Sequence, residues 1–378
     1  MQLSVLALAL FILFAPLLGH ANNAAPAPPS VSATGYLLID TDSDTVLAAR
    51  DGEERRQPGS PAKIMTAYLV LREGQSAAIK LSDQVLVSEK AWKTPGSRMF
   101  IEVNTRVSVE DLLKGMVVQS GNDASVALAE HVAGSEEAFA NLMNDHAQRL
   151  GMFDTHFVNA TGLPDPDHYT TPRDISVVSE AMIREFPELY KLYSLREFTY
   201  NDIHQNNRNE LLWRDKNVDG IKTGHTSAAG YCLVASAKRD GMRLISVVMG
   251  TDSEKTRARE SLALLNYGFR FFETHRLYGA DDRLTRARVW MGDREQVALG
   301  LERDLFVTIP RRQYDKLEAR TEIDPQLKAP LSKGQKVGQV VVELDGEVVK
   351  REPLVTLEDI PEGGIWRTVV DTVLMMLE

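Results

Sequence analysis

Three short motifs carry most of the information in this 378-residue chain: Ser60-Pro61-Ala62-Lys63, Ser120-Gly121-Asn122 and Lys222-Thr223-Gly224. In the order S-x-x-K, S-x-N and K-T-G they supply a serine nucleophile, an amine that can activate it, and a cation that can hold a carboxylate. Each motif alone also fits an ordinary structural role: a helix N-cap, a turn between helices, or a lysine on an edge strand. Their joint occurrence in this order indicates a serine enzyme.

The first motif is predicted to open a helix. Pro58-Gly59 forms a turn before Ser60, and apolar residues then recur with helical spacing. Residues i and i+3 of a helix share one face, so Lys63 is expected beside Ser60. The helix N-terminus carries a positive field of roughly half a charge. That field and partial burial would lower the pKa of the lysine, so that its neutral amine can accept the serine proton.

The surrounding elements predict an α+β domain over residues 35–277. Hairpins are expected at 36–49 and 231–250, with Lys222 on or beside an edge strand. The helical segments between and after them are Val109–Val118, Ala124–Ala133, Glu136–Leu150, Pro172–Phe186 and a long helix from about Glu254 to Phe272. Strands at both ends with helices between them predict that the terminal strands share one antiparallel sheet with helical layers.

A small all-β domain is predicted over residues 278–361. Short β-patterned segments follow Tyr278, and Asp345-Gly346 is a strong hairpin signal. Residues 362–378 then predict an amphipathic helix, whose apolar stripe runs from Ile365 to Leu377 after a Gly-Gly hinge. Such a helix can lie in a membrane interface. Docking of the helix on its own protein is the alternative.

The N-terminus is typical of an export signal over residues 1–21, with a flexible Pro- and Ala-rich leader over residues 22–34. The segment before the apolar run has no Lys or Arg, which leaves an uncleaved membrane anchor as the alternative. The formal charge of −10 excludes a nucleic-acid partner, because such a protein needs a basic footprint. Cys232 is the only cysteine, and its apolar neighbours predict a buried hydrophobic side chain. No H-E-x-x-H motif occurs in the sequence, so no zinc site is expected.

The three motifs, with Asp219-Gly220-Ile221 before the third and Thr226 after it, resemble the low-molecular-mass penicillin-binding proteins. The chain is most similar to the D-alanyl-D-alanine carboxypeptidases of the penicillin-binding protein 5 type, in serine peptidase family S11. The likeness runs from about Gly35 to the C-terminus. It implies a β-lactamase/transpeptidase-like catalytic domain, an all-β domain and a terminal amphipathic helix. Pro61-Ala62 replaces the more usual Leu-Thr of the family and removes no functional group.

The resemblance implies a reaction on the peptidoglycan stem peptide during cell-wall biogenesis, with β-lactam antibiotics as covalent inhibitors. It also implies a role in cell shape, no cofactor and no metal, and a peripheral location on the periplasmic face of the bacterial inner membrane. Ser60 would attack the penultimate D-alanine, with Lys63 as its base. The backbone N–H groups of Ser60 and His225 would form the oxyanion hole. The remaining site residues implied by the resemblance are Ser120 and Asn122 for proton relay and positioning, and Lys222, Thr223, Gly224, Arg208 and Arg257 for substrate binding.

Three alternatives remain at this point. A β-lactamase would usually carry Asp where this chain has Gly121, and a glutamate in the loop before Pro172, which has none. A D-alanyl-D-alanine endopeptidase would usually lack the β-domain and the terminal helix. A non-catalytic wall-binding protein would not be expected to keep Ser60, Lys63 and Lys222.

Overall fold

The first domain is built on a five-stranded antiparallel sheet, in a computed structural model that describes residues 25–75 and 79–376. The predicted signal peptide therefore lies outside the described residues. In chain order the strands of this domain are β1 Gly35–Asp40, β2 Thr45–Arg50, β3 Gln84–Leu86, β4 Arg106–Ser108, β5 Glu197–Tyr200, β6 Ile203–Asn206, β7 Val218–Thr226, β8 Gly230–Arg239 and β9 Met242–Thr251. The large sheet has the order β2-β1-β9-β8-β7. The predicted sharing of one sheet by the terminal strands is confirmed.

Helices follow the sequence pattern closely. They are α1 Lys63–Gln75, α2 Glu89–Lys93, α3 Val109–Val118, α4 Asn122–Ala133, α5 Glu136–Leu150, α6 Pro172–Glu185, α7 Pro187–Tyr190, α8 Leu211–Arg214 and α9 Glu254–Phe271. Hydroxyl side chains cap several of their N-termini: Ser108 accepts from Asp111 N, and Thr171 accepts from Asp174 N. The four helices predicted between the hairpins are therefore present with ends within about two residues.

The sheet is covered on both faces, because successive strand residues point to opposite sides. In β9, Ile245 and Val247 join the core shared with α1, α4 and α6, whereas Leu244 and Val248 join the core shared with α9. The α4 helix lies at the centre of the helical layer, and all residues from Asn122 to Ala129 are buried. This packing fixes the N-terminus of α4 beside the start of α1.

The described part of the predicted leader contacts α9 at several positions. Val31 and Ala33 are buried, and the carboxylate of Glu260 on α9 accepts hydrogen bonds from Ser32 N at 2.8 Å and Ala33 N at 3.1 Å. The Tyr267 hydroxyl donates to Pro26 O at 2.8 Å. These contacts with α9 fix three backbone groups of the predicted leader, at Pro26, Ser32 and Ala33.

The second domain is all-β, as predicted. Its strands are β10 Phe272–Tyr278, β11 Thr285–Trp290, β12 Gln296–Gly300, β13 Leu305–Pro310, β14 Leu317–Ile323, β15 Leu327–Lys328, β16 Lys336–Leu344 and β17 Glu347–Thr356. The boundary differs from the predicted one at 278, because β10 starts at Phe272 and pairs antiparallel with β13. Asp345-Gly346 forms the β16–β17 turn with positive φ values of 52° and 83°.

The chain continues into the helix α10, Ile365–Met375, which contacts the second domain. The Asp371 carboxylate is buried and accepts a hydrogen bond from Met291 N at 2.7 Å. Arg367 forms an ion pair with Glu295 at 3.2 Å. Within residues 25–75 and 79–376, no helix combines the length and apolar character needed to cross a bilayer.

Candidate active site

Ser60 stands at the first position of a 3₁₀ turn, Ser60–Ala62, that leads directly into α1. Gly59 precedes it with φ 57°, in the left-handed region that favours glycine, and Pro61 occupies the next position of the turn. Ser60 is half-buried, and its Oγ lies 3.2 Å from Lys63 Nζ. The predicted side-by-side arrangement of the two residues is present in the structure.

Lys63 is buried and contacts three oxygen atoms. Besides Ser60 Oγ, its Nζ donates to Asn122 Oδ1 at 2.7 Å and to Thr161 O at 2.5 Å. Asn122 Nδ2 donates to Pro95 O at 2.6 Å, which fixes its Oδ1 toward Lys63. Asn122 Oδ1 and Thr161 O can only accept a hydrogen bond, whereas the Ser60 hydroxyl can also donate one.

The electrostatic surroundings favour a neutral Lys63 amine. Burial, followed by the positive charge of Arg208, lowers the pKa of Lys63 to about 7. A neutral amine has two N–H groups, which Asn122 Oδ1 and Thr161 O would accept. Its lone pair would then face the Ser60 hydroxyl. This is the geometry that a general base needs in order to take the serine proton.

Ser120 is held in an unusual backbone conformation between α3 and α4. Its φ is 66°, in the left-handed region that non-glycine residues rarely adopt. Its side chain is buried, and its Oγ has no hydrogen-bond partner among the described residues. Because an unpaired buried hydroxyl is costly, this Oγ is suited to bond a group that enters the cleft.

Asp123 organises the neighbouring loop and was not singled out as a site residue from the sequence. Its carboxylate accepts hydrogen bonds from the backbone N–H groups of Met99 at 3.0 Å, Phe100 at 2.9 Å and Ile101 at 3.3 Å. The backbone N of Asn122 donates to Ser97 O at 2.7 Å. The start of α4 therefore fixes the loop that places Gly96 and Ser97 in the cleft wall.

The third motif lies on β7, the edge strand, as predicted. A Cβ added to Gly224 would lie 2.5 Å from Pro61 Cδ and 3.1 Å from Ser60 N. Only glycine lets the strand approach the nucleophile turn this closely. This approach places the strand segment from Thr223 to His225 beside Ser60.

Four basic side chains surround the same cleft and form a basic cluster: Lys63, Lys222, Arg208 and Arg257. Burial, followed by the charges of the other three, holds the pKa of Lys222 well below its usual range. Arg257 is 3% exposed and donates to Gly224 O at 3.0 Å. Repulsion within this cluster means that a carboxylate entering the cleft would be stabilised and would favour protonated Lys222.

The rim of the cleft carries the remaining predicted residues. Arg208 is exposed and donates through Nε to Gln119 at 3.1 Å. His225 is exposed and stacks on Tyr231 with ring centroids 3.9 Å apart. Both residues line the cleft.

The structure brings the predicted site residues together around one cleft of about 410 Å³. Those that line it are Ser60, Ser120, Asn122, Arg208, Thr223, Gly224, His225 and Arg257. Lys63 and Lys222 lie behind the lining, where Lys222 Nζ donates to Thr223 O at 3.1 Å. Among the residues that the structure describes, no cluster of three His, Cys, Asp or Glu side chains is suited to hold a metal ion.

The cleft also contains Thr161, Gly162 and Leu163, which sequence reasoning missed. The sequence marks these residues only by a short polar segment with a glycine, Asn159 to Gly162, between two predicted helices. That signal is typical of any loop. The contact of Thr161 O with Lys63 depends on long-range packing and could not be read from spacing.

Two family models match the chain and divide it in the same way as the fold. A model described as D-alanyl-D-alanine carboxypeptidase matches residues 22–253. A model described as penicillin-binding protein 5, C-terminal domain, matches residues 272–362. The second match begins at the first residue of β10, in agreement with the observed domain boundary.

Curated relatives and solved structures agree with the family models. D-alanyl-D-alanine carboxypeptidase DacC of Escherichia coli K12 is 45% identical over 375 residues, covering 97% of this chain and 94% of that protein. DacA of Haemophilus influenzae is 44% identical over 358 residues, covering 93% of this chain and 91% of that protein. The structure of penicillin binding protein 5 from Haemophilus influenzae matches with a TM-score of 0.86 at 44% identity, covering 89% of this chain and 100% of that one. This chain therefore belongs to the D-alanyl-D-alanine carboxypeptidase family of serine peptidases, S11, and is of the penicillin-binding protein 5 type.

Proposed function

We propose that Ser60 is the nucleophile with which this D-Ala-D-Ala carboxypeptidase removes the terminal D-alanine of a peptidoglycan stem pentapeptide. The observation that carries the assignment is the set of three contacts at Lys63 Nζ, which turn the lone pair of a neutral amine toward Ser60 Oγ. Arg208 and burial favour that neutral form by lowering the pKa of Lys63 to about 7.

The proposed reaction has two steps. Ser60 Oγ forms a bond to the carbonyl carbon of the penultimate D-alanine, and the serine proton moves to Lys63 Nζ. The backbone N–H groups of Ser60 and His225 hold the oxyanion, and the peptide bond breaks as Ser120 gives its proton to the leaving D-alanine amine and takes up the proton that Lys63 had accepted. Water then hydrolyses the ester, which releases the shortened peptide and restores the Ser60 hydroxyl.

Recognition of the substrate follows from the basic cluster around the cleft. The free carboxylate of the terminal D-alanine would bind Lys222 and Thr223 on β7, with Arg257 behind them and Arg208 at the rim. Asn122, which bonds Lys63, would also contact the substrate amide.

The β-lactamase alternative makes a different prediction about penicillin. Among the described residues that line the cleft, Glu254 is the acidic one, and its carboxylate forms an ion pair with Arg257 at 3.4 Å. A deacylating general base contributes about 10²–10⁴-fold to such a step. We therefore expect benzylpenicillin to acylate the enzyme, and we expect hydrolysis of the resulting acyl-enzyme to be slow. Intact-protein mass spectrometry over time would follow the adduct, and rapid turnover of benzylpenicillin would contradict the assignment.

We further propose that α10 holds the enzyme peripherally on the periplasmic face of the inner membrane after export of the chain. The helix docks on the second domain through its polar face, with Asp371 buried and Arg367 paired. Its opposite face is apolar and exposed; Ile365 and Trp366 are each 84% exposed. The other exposed apolar residues of this face are Val369, Val370, Val373, Leu374 and Met376. Such a face, with a Trp at one end, is suited to a membrane interface.

Removal of residues 365–378 is expected to abolish binding to phosphatidylcholine vesicles in a sedimentation assay, while D-alanine release continues. Val373→Asp should reduce binding roughly tenfold, because it puts a charge on the apolar face. Thr368→Asp is the matched control: it adds the same charge to the polar face, in the first turn of α10, where a negative charge is tolerated. Continued pelleting of the truncated chain, or equal losses in the two Asp variants, would contradict attachment through α10.

A further inference from the structure

One side chain shapes the cleft wall formed by Thr161, Gly162 and Leu163. Asn159 Oδ1 accepts hydrogen bonds from Thr161 N at 3.1 Å, Thr161 Oγ1 at 2.8 Å and Gly162 N at 2.8 Å. Its Nδ2 donates to Leu163 O at 3.1 Å. The two backbone donors and the acceptor Leu163 O leave no alternative orientation of the amide.

His168 completes the hydrogen bonding of this amide. Its Nδ1 lies 3.1 Å from Asn159 Nδ2, and the imidazole is buried against Phe157. An amide nitrogen can only donate, so this contact is a hydrogen bond when Nδ1 accepts, which places the proton of the neutral ring on Nε2, an atom with no hydrogen-bond partner among the described residues. Burial lowers the pKa of His168 to about 4, in agreement with a neutral ring. The histidine therefore acts as a fixed acceptor.

The wall contacts the Lys63 side chain and packs against the backbone of the turn that carries Ser60. Thr161 O accepts from Lys63 Nζ at 2.5 Å. Gly162 has φ 81°, and a Cβ at this position would lie 1.8 Å from Gly59 O and 3.0 Å from Ser60 N. The wall is thus packed against the turn that carries Ser60 and bonded to the amine beside it.

We propose that Asn159 and His168 are positioning residues, which hold the Thr161 carbonyl against the Lys63 amine and Gly162 against the turn at Ser60. This inference rests on the proposed role of Lys63 as the base. The neutral amine has two N–H groups, and its lone pair faces Ser60 only while Thr161 O accepts one of them. A displacement of about 1 Å at a reacting group can reduce the rate by roughly 10²-fold.

The decisive variants change the acceptor at position 168. His168→Leu removes the acceptor of Asn159 Nδ2 and leaves that donor unpaired, so the wall must shift. His168→Asn restores an acceptor oxygen close to the position of Nδ1. We expect His168→Leu to lower kcat for the stem pentapeptide and the rate of acylation by benzylpenicillin by roughly 10–100-fold. His168→Asn should recover most of both rates. KM should change little, because Lys222, Thr223 and Arg257 are not touched.

Asn144 offers a matched structural control. Its side chain accepts from Phe157 N at 2.7 Å and donates to Phe157 O at 2.9 Å, so it holds the same segment without bonding the wall. Asn144→Leu should lower the thermal unfolding midpoint as His168→Leu does, but leave kcat close to that of the unchanged enzyme. Unchanged acylation in His168→Leu, equal losses of kcat in the two Leu variants, or no recovery in His168→Asn would overturn the inference.

A second variant covers the case in which His168→Leu does not fold. Asn159→Asp keeps the Oδ1 acceptor and loses the donor to Leu163 O and His168 Nδ1. It is expected to show the same loss of kcat, and full activity would overturn the inference. Lys63→Arg separates the two proposals. An active Lys63→Arg enzyme would refute the base assignment itself, whereas an inactive one with fully active Asn159 and His168 variants would refute only the positioning role.

Discussion

Ser60→Ala is expected to abolish D-alanine release from a stem pentapeptide that ends in D-Ala-D-Ala, and with it covalent labelling by benzylpenicillin. The substitution removes the hydroxyl that lies beside the proposed base: Ser60 Oγ is 3.2 Å from Lys63 Nζ and lines the cleft. Loss of a nucleophile in a serine peptidase typically costs ~10⁴-fold or more in turnover. Released D-alanine and the mass of the intact protein after exposure to penicillin would measure the two effects.

The control for Ser60→Ala is Ser82→Ala, which makes the same chemical change at an exposed position away from the cleft. Its activity should equal that of the unchanged enzyme. Both variants should unfold close to the temperature of the unchanged protein, because Ser60 is only half-buried. Equal D-alanine release by Ser60→Ala and the unchanged enzyme would mean that another serine is the nucleophile, and Ser120 would be examined first. No release by either protein would favour an endopeptidase or a non-catalytic wall-binding protein.

Local rules explain why so much of the fold and site was predictable. Ser60 and Lys63 are three residues apart at the start of a helix, so their proximity follows from helical geometry alone. The α3–α4 turn at Ser120 and the edge position of Lys222 follow from hydrophobic periodicity and from the hairpin signal after the third motif. The assembly of these three places into one cleft came from the resemblance to a known family, since no local rule brings distant segments together.

The features that sequence reasoning missed all depend on contacts between distant segments. Asp123 accepts N–H groups from residues more than twenty positions earlier, and Thr161 bonds Lys63 across a separation of 98 residues. A buried aspartate at a helix start and a threonine in a loop are both ordinary in sequence terms. The Pro- and Ala-rich composition of the leader likewise gives no sign of the Glu260 carboxylate that accepts the N–H groups of Ser32 and Ala33.

The site has two electrostatic halves, one at Lys63 and one at Lys222. Lys63 and Lys222 are both buried lysines in short motifs, and burial lowers the pKa of each. Lys63 contacts a hydroxyl that can give up a proton, whereas Lys222 Nζ bonds only Thr223 O among the described residues. A substrate carboxylate would stabilise the protonated form of Lys222. The same side chain is therefore suited to be a base in one position and a cation in the other.

Lys63→Arg provides the direct test of the base. A guanidinium remains protonated at accessible pH and therefore cannot accept the serine proton. General bases contribute about 10²–10⁴-fold, so we expect acylation by benzylpenicillin and D-alanine release to fall by ~10³-fold. In the unchanged enzyme, the pKa of Lys63 at about 7 predicts that kcat/KM falls as pH drops through 7, because protonation removes the lone pair.

Lys222→Arg is the matched control for this experiment, since it makes the same change at the other buried lysine. It should raise KM, because the carboxylate site is altered, and should keep the acidic fall of kcat/KM near pH 7. Thermal unfolding would establish that both variants fold. Suppose that the Lys63→Arg enzyme retains more than about a tenth of the D-alanine release of the unchanged enzyme. Another group then accepts the serine proton, because loss of a general base lowers the rate by about 10²–10⁴-fold. The fall of kcat/KM at low pH would then report the titration of that other group. If this fall is lost in Lys222→Arg but retained in Lys63→Arg, Lys222 is the base.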